Sequence, residues 1–379
     1  MTLTKKGIDM EKIRLGIIGV GNMGTGHLKS IAEGQCPRIE VTAVSDPDRE
    51  KLERAKSICP TLICFEDTLR MLDSGLLDAA LIAVPHYDHP TYAIECFKRG
   101  IHVMTEKPAG VYTRQVREMN EAAEKAGVVF AIMFNQRSNP IFAKARQIVQ
   151  SDQLGEPKRL VWIITNWYRT QSYYDSGSWR ATWDGEGGGV LLNQAPHNLD
   201  LWQWIFGMPK RIRAFCSFGK YHHVAIEDDV TIYGEYENGA TATFITTTGE
   251  APGTNRLEIS GDRGKLVLEN GILKWTKLTV PEREFCFTSE SGFACPETEY
   301  EEFTAPEPDG HPILLNNFAD AILDNAPLLA PGQEGLNSLS ISNAAYVSAW
   351  TDDWAQIPVS EELFESHLTR LRELEKKTK

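Results

Sequence analysis

Three glycines and one acid near the N-terminus are spaced to hold a dinucleotide. The apolar run that begins at Ile13 ends in Gly19-x-Gly21-x-x-Gly24, with Asn22 and Met23 inside the turn. A strand that stops in such a turn lets the backbone approach a pyrophosphate, and the free N–H groups at the start of the next helix stabilise its charge. A second apolar run, 39–45, closes with Asp46, about 20 residues past the last glycine, where a carboxylate accepts hydrogen bonds from the adenosine ribose. Gly19, Gly21, Asn22, Met23, Gly24 and Asp46 are thus expected to bind the cofactor. Asp46 would repel a 2'-phosphate, so NAD is expected over NADP, although Arg49 lies close enough in sequence to answer such a phosphate.

Two further strand ends carry polar, titratable side chains. After 79–84 comes Pro85-His86-Tyr87-Asp88-His89, and after 101–105 comes Glu106-Lys107-Pro108. Read alone, the two histidines also suit loop polarity or helix capping, and Glu-Lys-Pro is a common surface tripeptide. Farther on, Gly187-Gly188-Gly189 leads through Asn193 to His197. If both are helical they share one face, a turn apart. A lone histidine on such a face is as readily a packed structural residue.

The elements that must position these groups fall into two textures. From 13 to about 132, strand-like runs near 13–18, 39–45, 62–64, 79–84, 101–105 and 128–132 alternate with helical spacing over 23–33, 48–57, 67–72, 90–98 and 113–125. That alternation predicts an α/β fold whose N-terminal part, 13–134, is a Rossmann doubly wound parallel sheet, behind a short tail at 1–12. Ligands of such sheets bind beyond the carboxyl ends of the strands. From 135 to 379 longer runs, at 158–168, 210–218, 229–236, 240–248, 255–260 and 265–268, predict a C-terminal α+β domain on a large, mainly antiparallel open sheet. Asn238-Gly239 marks one hairpin. Helices return near 312–324, 334–350 and 360–376, and 276–310 resists assignment.

A chain of 379 residues, 42% of them hydrophobic, can fill two cores. No run approaches the roughly 20 apolar residues of a membrane span, and the start lacks a secretory signal, so a cytoplasmic protein without membrane contact is expected. The net charge of −13 argues against a nucleic-acid partner. Seven scattered cysteines, with no C-x-x-C pair, suggest neither a disulfide framework nor a cysteine metal site.

Together the glycine turn, Pro85 with His86 and His89, Glu106-Lys107-Pro108, and Gly187-Gly-Gly leading to His197 and Asp200 resemble the glucose-fructose oxidoreductase, inositol dehydrogenase and rhizopine-catabolism family (Gfo/Idh/MocA) over nearly the whole chain. The resemblance implies NAD(H)-dependent hydride exchange at a secondary hydroxyl of a sugar, glycoside or inositol lying between the two domains. It implies homodimers or homotetramers built on the outer face of the C-terminal sheet. By matching position, Lys107 would lie beside the nicotinamide and stabilise the alkoxide, and His197 would be the acid/base. Pro85, His86, His89, Glu106 and Asn135 would line the cofactor, and the Lys107–Pro108 bond would be cis. The family's usual Asp four residues before the histidine is replaced by Asn193, and a common glycine by Ala195. Asn193 would then orient a substrate hydroxyl with an amide instead of a charge, with helix capping as its other reading.

Oxidation of an alcohol needs a base for the hydroxyl proton, and no metal is required. Residues 162–183 hold Trp162, Trp167, Tyr168, Tyr173, Tyr174, Trp179 and Trp183, interleaved with Arg169 and Arg180. Aromatic rings suit the C–H faces and hydroxyl edges of sugars. Tyr173, Trp179, Arg180 and Trp183 are the expected substrate wall, and Trp162 is expected to pack a sheet. Two rival readings use the same ligands: cleavage of a glycoside through transient oxidation and elimination, and a non-catalytic sugar or NAD sensor.

Overall fold

Short strands with an apolar residue at nearly every position are built for burial on both faces, and the first six are so buried except the edge strand at 63–65, where Ile63 is 46% exposed. In the computed structural model, which describes residues 11–378, β1 (Ile13–Ile18), β2 (Ile39–Ser45), β3 (Ile63–Phe65), β4 (Ala79–Ile82), β5 (His102–Thr105) and β6 (Phe130–Ile132) run parallel in the order β3-β2-β1-β4-β5-β6. Residues 1–10 of the expected tail lie outside the described residues. The order reverses between β1 and β4, which opens a crevice beyond their carboxyl ends. Asp48 and Asp67 cap the helices Arg49–Ile58 and Thr68–Leu72 by accepting backbone N–H groups, as their spacing predicts. The helix Asp88–Phe97 begins two residues before Pro90, because proline fits the first turn, where its missing N–H is not needed.

The second sheet has nine strands. They are β7 (Pro157–Ile164), β8 (Arg211–Phe218), β9 (Glu227–Glu235), β10 (Thr241–Thr247), β11 (Asn255–Gly261), β12 (Gly264–Glu269), β13 (Ile272–Leu278), β14 (Thr298–Thr304) and β15 (Ala355–Gln356). Their order is β14-β13-β12-β11-β7-β10-β9-β8-β15, with β7 and β10 parallel and every other pair antiparallel. Asn238-Gly239 makes the β9–β10 hairpin: Gly239 has φ +83°, and Asn238 Oδ1 accepts the Ala240 N–H. The unassigned stretch 276–310 holds the end of β13, the helix Glu282–Thr288 and β14. Every residue of β14 is exposed, so no hydrophobic alternation marks it.

One face of this sheet is covered by helices Pro140–Gln150, Pro196–Phe206 and Gly335–Thr351. Trp162 is fully buried, edge-on to Phe244, which stacks on Trp202 at 5.7 Å. The other face carries exposed Phe215 and Tyr233, with Trp354 against Tyr233. Residues near the C-terminus return to the first unit. The helix Gly310–Asp324 lies beside the helix Asn22–Ala32, Asn316 donates to the Gln35 carbonyl, and Ile132 N–H at the edge of β6 donates to the Ala330 carbonyl. Among the described residues no helix is long and apolar enough to cross a membrane.

Candidate active site

The glycine turn after β1 is shaped by what a side chain would strike. Gly19 has φ +87°, and a Cβ there would meet the Ala83 carbonyl at 2.6 Å; a Cβ on Gly24 would lie 1.9 Å from the Gly19 oxygen. A Cβ on Gly21 would meet nothing within 4 Å, so this glycine leaves open space at the start of the helix Asn22–Ala32. That helix has no side-chain cap and no acid in its first turn, so its leading N–H groups are free for an anion. Asp46 sits buried at the end of β2, where its two oxygens accept the Val20 and Asp48 N–H groups, with Lys51 Nζ at 3.5 Å. Arg49, exposed at the surface, pairs with Glu66 at 2.7 Å. At the other end of the crevice the Oδ1 of Asn135 is buried without a partner, an acceptor that a nicotinamide carboxamide could satisfy. The residues present fit a dinucleotide.

The Lys107–Pro108 bond is cis, as the resemblance implied. Lys107 Nζ donates to the Asn193 carbonyl at 2.7 Å, which leaves two ammonium protons for a ligand. Burial pushes the Lys107 pKa down, Glu106 and Glu186 oppose this, and Arg169 and Arg180 add to it. His197 is the second residue of the helix Pro196–Phe206. Its Nδ1 is buried without a hydrogen-bond partner, leaving Nε2 as the nitrogen open to the cleft. Burial, then the charge of Lys107, pushes its pKa down to about 3, so the imidazole is neutral.

Asn193 departs from expectation. Pro196 opens the helix and Ala195 is its cap residue, so Asn193 lies in the preceding turn; it neither shares a helical face with His197 nor caps the helix. Its amide donates instead to Oε1 of Glu186, a carboxyl 1% exposed that also accepts the Ala181 N–H at 2.7 Å. Burial raises the Glu186 pKa against the pull of those two donors, Arg180 and Lys107. A carboxylate thus stands against position 193, drawn from seven residues upstream. Its cue in the sequence is an acid embedded in Gly185-Glu186-Gly187.

The other expected residues divide. His86 Nδ1 donates to the Glu186 carbonyl at 2.9 Å, tying the β4 loop to the second unit, and its ring meets Trp179 edge-on. His89 sets its two ring nitrogens 2.7 Å from the carbonyls of Pro108 and Val84; it braces the two loops and leaves no nitrogen for a cofactor. Glu106 faces His27 Nε2 at 2.7 Å. Burial alone would raise the Glu106 pKa, but the bond to His27 and the His27 and Lys107 charges hold it at about 2. Its tie is therefore to the glycine-turn helix through His27, a residue the sequence reading passed over. Tyr173, Trp179 and Arg180 cluster as expected, the guanidinium carbon 4.6 Å from each ring. Trp183 does not join them: it is 3% exposed, donates to the Ala225 carbonyl and packs on Tyr346 and Trp350, because its backbone turns it into the core. Asp200 forms a buried two-pronged pair with Arg137 at 2.6 and 2.8 Å, binding the helix of His197 to the turn that bears Asn135. Among the described residues no three His, Cys, Asp or Glu are placed to hold a metal.

Comparison with known proteins places this geometry. Residues 13–134 match the oxidoreductase family model with an NAD-binding Rossmann fold, and 142–267 match the GFO/IDH/MocA C-terminal domain. The chain is 26% identical to the rhizopine catabolism protein MocA of Rhizobium meliloti over 89% of this chain and 95% of that protein. It is 23% identical to myo-inositol 2-dehydrogenase of Thermotoga maritima, over 88% and 95%. The WlbA dehydrogenase of Bordetella pertussis, solved with NADH and UDP-GlcNAcA, superposes with a TM-score of 0.78 at 26% identity, over 92% of this chain and 99% of that one.

Proposed function

The chain belongs to the Gfo/Idh/MocA oxidoreductase family, with an NAD-binding Rossmann domain, and on that premise we propose that it transfers a hydride between a secondary hydroxyl of a sugar, glycoside or cyclitol and NAD. One observation carries the reading: Lys107 and His197, one from each sheet unit, meet at the crevice with two ammonium protons and a neutral imidazole unspent. NAD, when bound, is the hydride acceptor. His197 takes the hydroxyl proton on Nε2, and Lys107 steadies the oxygen by charge and hydrogen bonding. Asn193 holds Lys107 through its carbonyl, while Glu186 keeps a negative charge close to the ammonium. The test is NADH formation, read together with aglycone release, over a panel of monosaccharides, glycosides and cyclitols. Aglycone release without net NADH would move the reading to oxidation and elimination, and tight NAD binding with no turnover would move it to a sensor.

The same reading makes NAD the preferred cofactor. A 2'-phosphate about 4 Å from Asp46 would be repelled by about 4 kcal/mol at an effective dielectric near 20, before screening and the offset from Lys51. We expect kcat/KM at least about tenfold higher with NAD than with NADP, narrowed in Asp46→Ala. A higher value with NADP would overturn this. The exposed Phe215 and Tyr233 of the outer sheet face support a homodimer or homotetramer, which light scattering would read.

Asn193→Asp would set a second carboxylate against Glu186. Two carboxylates in contact hold a proton to higher pH than either alone. The variant's kcat/KM should therefore fall as pH rises through that shared ionisation. Asn193→Asp/Glu186→Gln, which restores one charge, should recover. Superimposable profiles for wild type and Asn193→Asp would show that the pair does not sense the reacting groups.

A further inference from the structure

Beside the reacting groups lies a set of side chains whose unused hydrogen-bonding groups are mostly donors. The guanidinium carbons of Arg169 and Arg180 lie 5.1 and 4.6 Å from the centre of the Tyr173 ring. Arg169 Nη1 donates to the Tyr168 carbonyl at 2.9 Å and more distantly to that of Trp167, and it has no carboxylate partner among the described residues. Arg180 has one, Glu186, at 3.7 Å, beyond hydrogen-bond reach and already taken up by the Ala181 N–H and the Asn193 amide. The Tyr173 oxygen accepts from Arg180 Nη1 at 2.8 Å and from Gln194 Nε2 at 3.3 Å, so its own proton is left over. Trp179 Nε1–H likewise meets no acceptor among the described residues.

Charge points the same way as hydrogen bonding. Lys107 has Glu106 beside it, though that carboxylate faces His27. Arg180 is partly offset by Glu186, and Arg169 has no carboxylate within ion-pair distance among the described residues. A cationic surplus in a cleft of a chain whose net charge is −13 is not a by-product of composition. One acceptor stands among them: Gln194, whose Nε2 reaches the Tyr173 oxygen, has its Oε1 buried without a partner among the described residues, where a substrate hydroxyl can be read beside the guanidinium groups. A neutral sugar would leave the guanidinium fork unanswered, whereas a carboxylate or phosphate matches it.

We propose that the substrate carries an oxyanion, a carboxylate or phosphate ester, held by Arg169 and Arg180 beside Tyr173 while its secondary hydroxyl lies at Lys107 and His197. This rests on the dehydrogenase reading above and adds the substrate's charge to it. The test is calorimetric binding to the NADH-loaded protein, paired with NADH formation in the oxidative direction. The probes are neutral aldoses of the gluco, galacto and manno series, their uronates and their terminal phosphate esters. At least one acid should bind tenfold or more tightly than its neutral parent, and the stronger of uronate and ester names the anion. Arg169→Gln should remove most of that preference and leave the neutral sugar within about threefold, and Arg169→Lys should restore part of it. Equal binding of acid and parent in every series, no binding by any acid, or equal losses for both in Arg169→Gln would each overturn the proposal. NADH formed from neutral sugars alone would leave the dehydrogenase and remove the oxyanion. An acid that binds selectively but is not oxidised would do the reverse.

Discussion

Turnover of His197→Ala is expected to fall by about 10²–10⁴, the usual worth of a positioned acid or base, while NAD affinity stays within about twofold. The imidazole stands on a helix of the second unit, whereas the glycine turn proposed to hold the cofactor's phosphates opens a helix of the first, so the two functions should separate. Burial and Lys107 hold its pKa at about 3, so it is neutral, as a proton acceptor must be, across the physiological range. The acidic side of the free enzyme's kcat/KM profile should accordingly show no limb from His197 down to about pH 4. A stopped-flow measurement of the oxidation step in the variant decides the matter. Near-normal rates would mean that the proton leaves by another route, of which Lys107, its own pKa lowered by burial, is the nearest.

The largest loss of stability is expected from Asp200→Ala. Arg137 and Asp200 are each 1% exposed at the side chain, and removing the carboxylate would leave a guanidinium in the core with only the half-exposed Glu334, at 2.5 Å, to answer it. Breaking a buried pair from one side costs about 3–5 kcal/mol, mainly because the surviving charge is stranded. Burial raises the Asp200 pKa and Arg137 pulls it back, the signature of a pair that persists only while both members are present. Urea denaturation should show the loss for Asp200→Ala. Arg137→Met/Asp200→Leu, which strands no charge in the core and costs only the Gln203 amide its acceptor, should recover most of it. A single variant within about 1 kcal/mol of wild type would refute this account. Because the pair spans from the Asn135 turn to the helix of His197, Asp200→Ala should also lower kcat in the protein that still folds.

The cofactor end was legible because its signals are local. A turn's need for Gly19 and Gly24, and Asp46 at the end of β2, depend on a few adjacent residues. Lys107 and His197 became legible only through resemblance, since nothing in either tripeptide or helix says that they meet. Asn193 was misplaced although the cue was present: Pro196 prefers the first position of a helix, which leaves everything before Ala195 outside it. Trp183 was beyond such reading, and for Glu186 the flanking glycines mark an unusual acid without showing that it is buried. Which member of an aromatic-rich, irregular segment turns inward depends on Tyr346 and Trp350, far along the chain, and the burial of Glu186 depends on partners from three separate segments. β14 escaped for the opposite reason: a strand exposed along its whole length has no pattern to read.

The return of residues 310–334 to the first sheet bears on how the protein is made. When residue 134 leaves the ribosome all six parallel strands exist, but Ile132 at the edge of β6 still lacks the Ala330 carbonyl. The helix Asn22–Ala32 also lacks the neighbouring helix that carries the buried Leu315 and Phe318. The nascent nucleotide-binding unit therefore waits with an open strand edge and uncovered apolar surface until the C-terminal helices emerge. That is the kind of intermediate that recruits chaperones or aggregates. A fragment that stops at residue 134 should be insoluble or molten, whereas one in which residues 310–334 are appended by a flexible linker should fold and bind NAD.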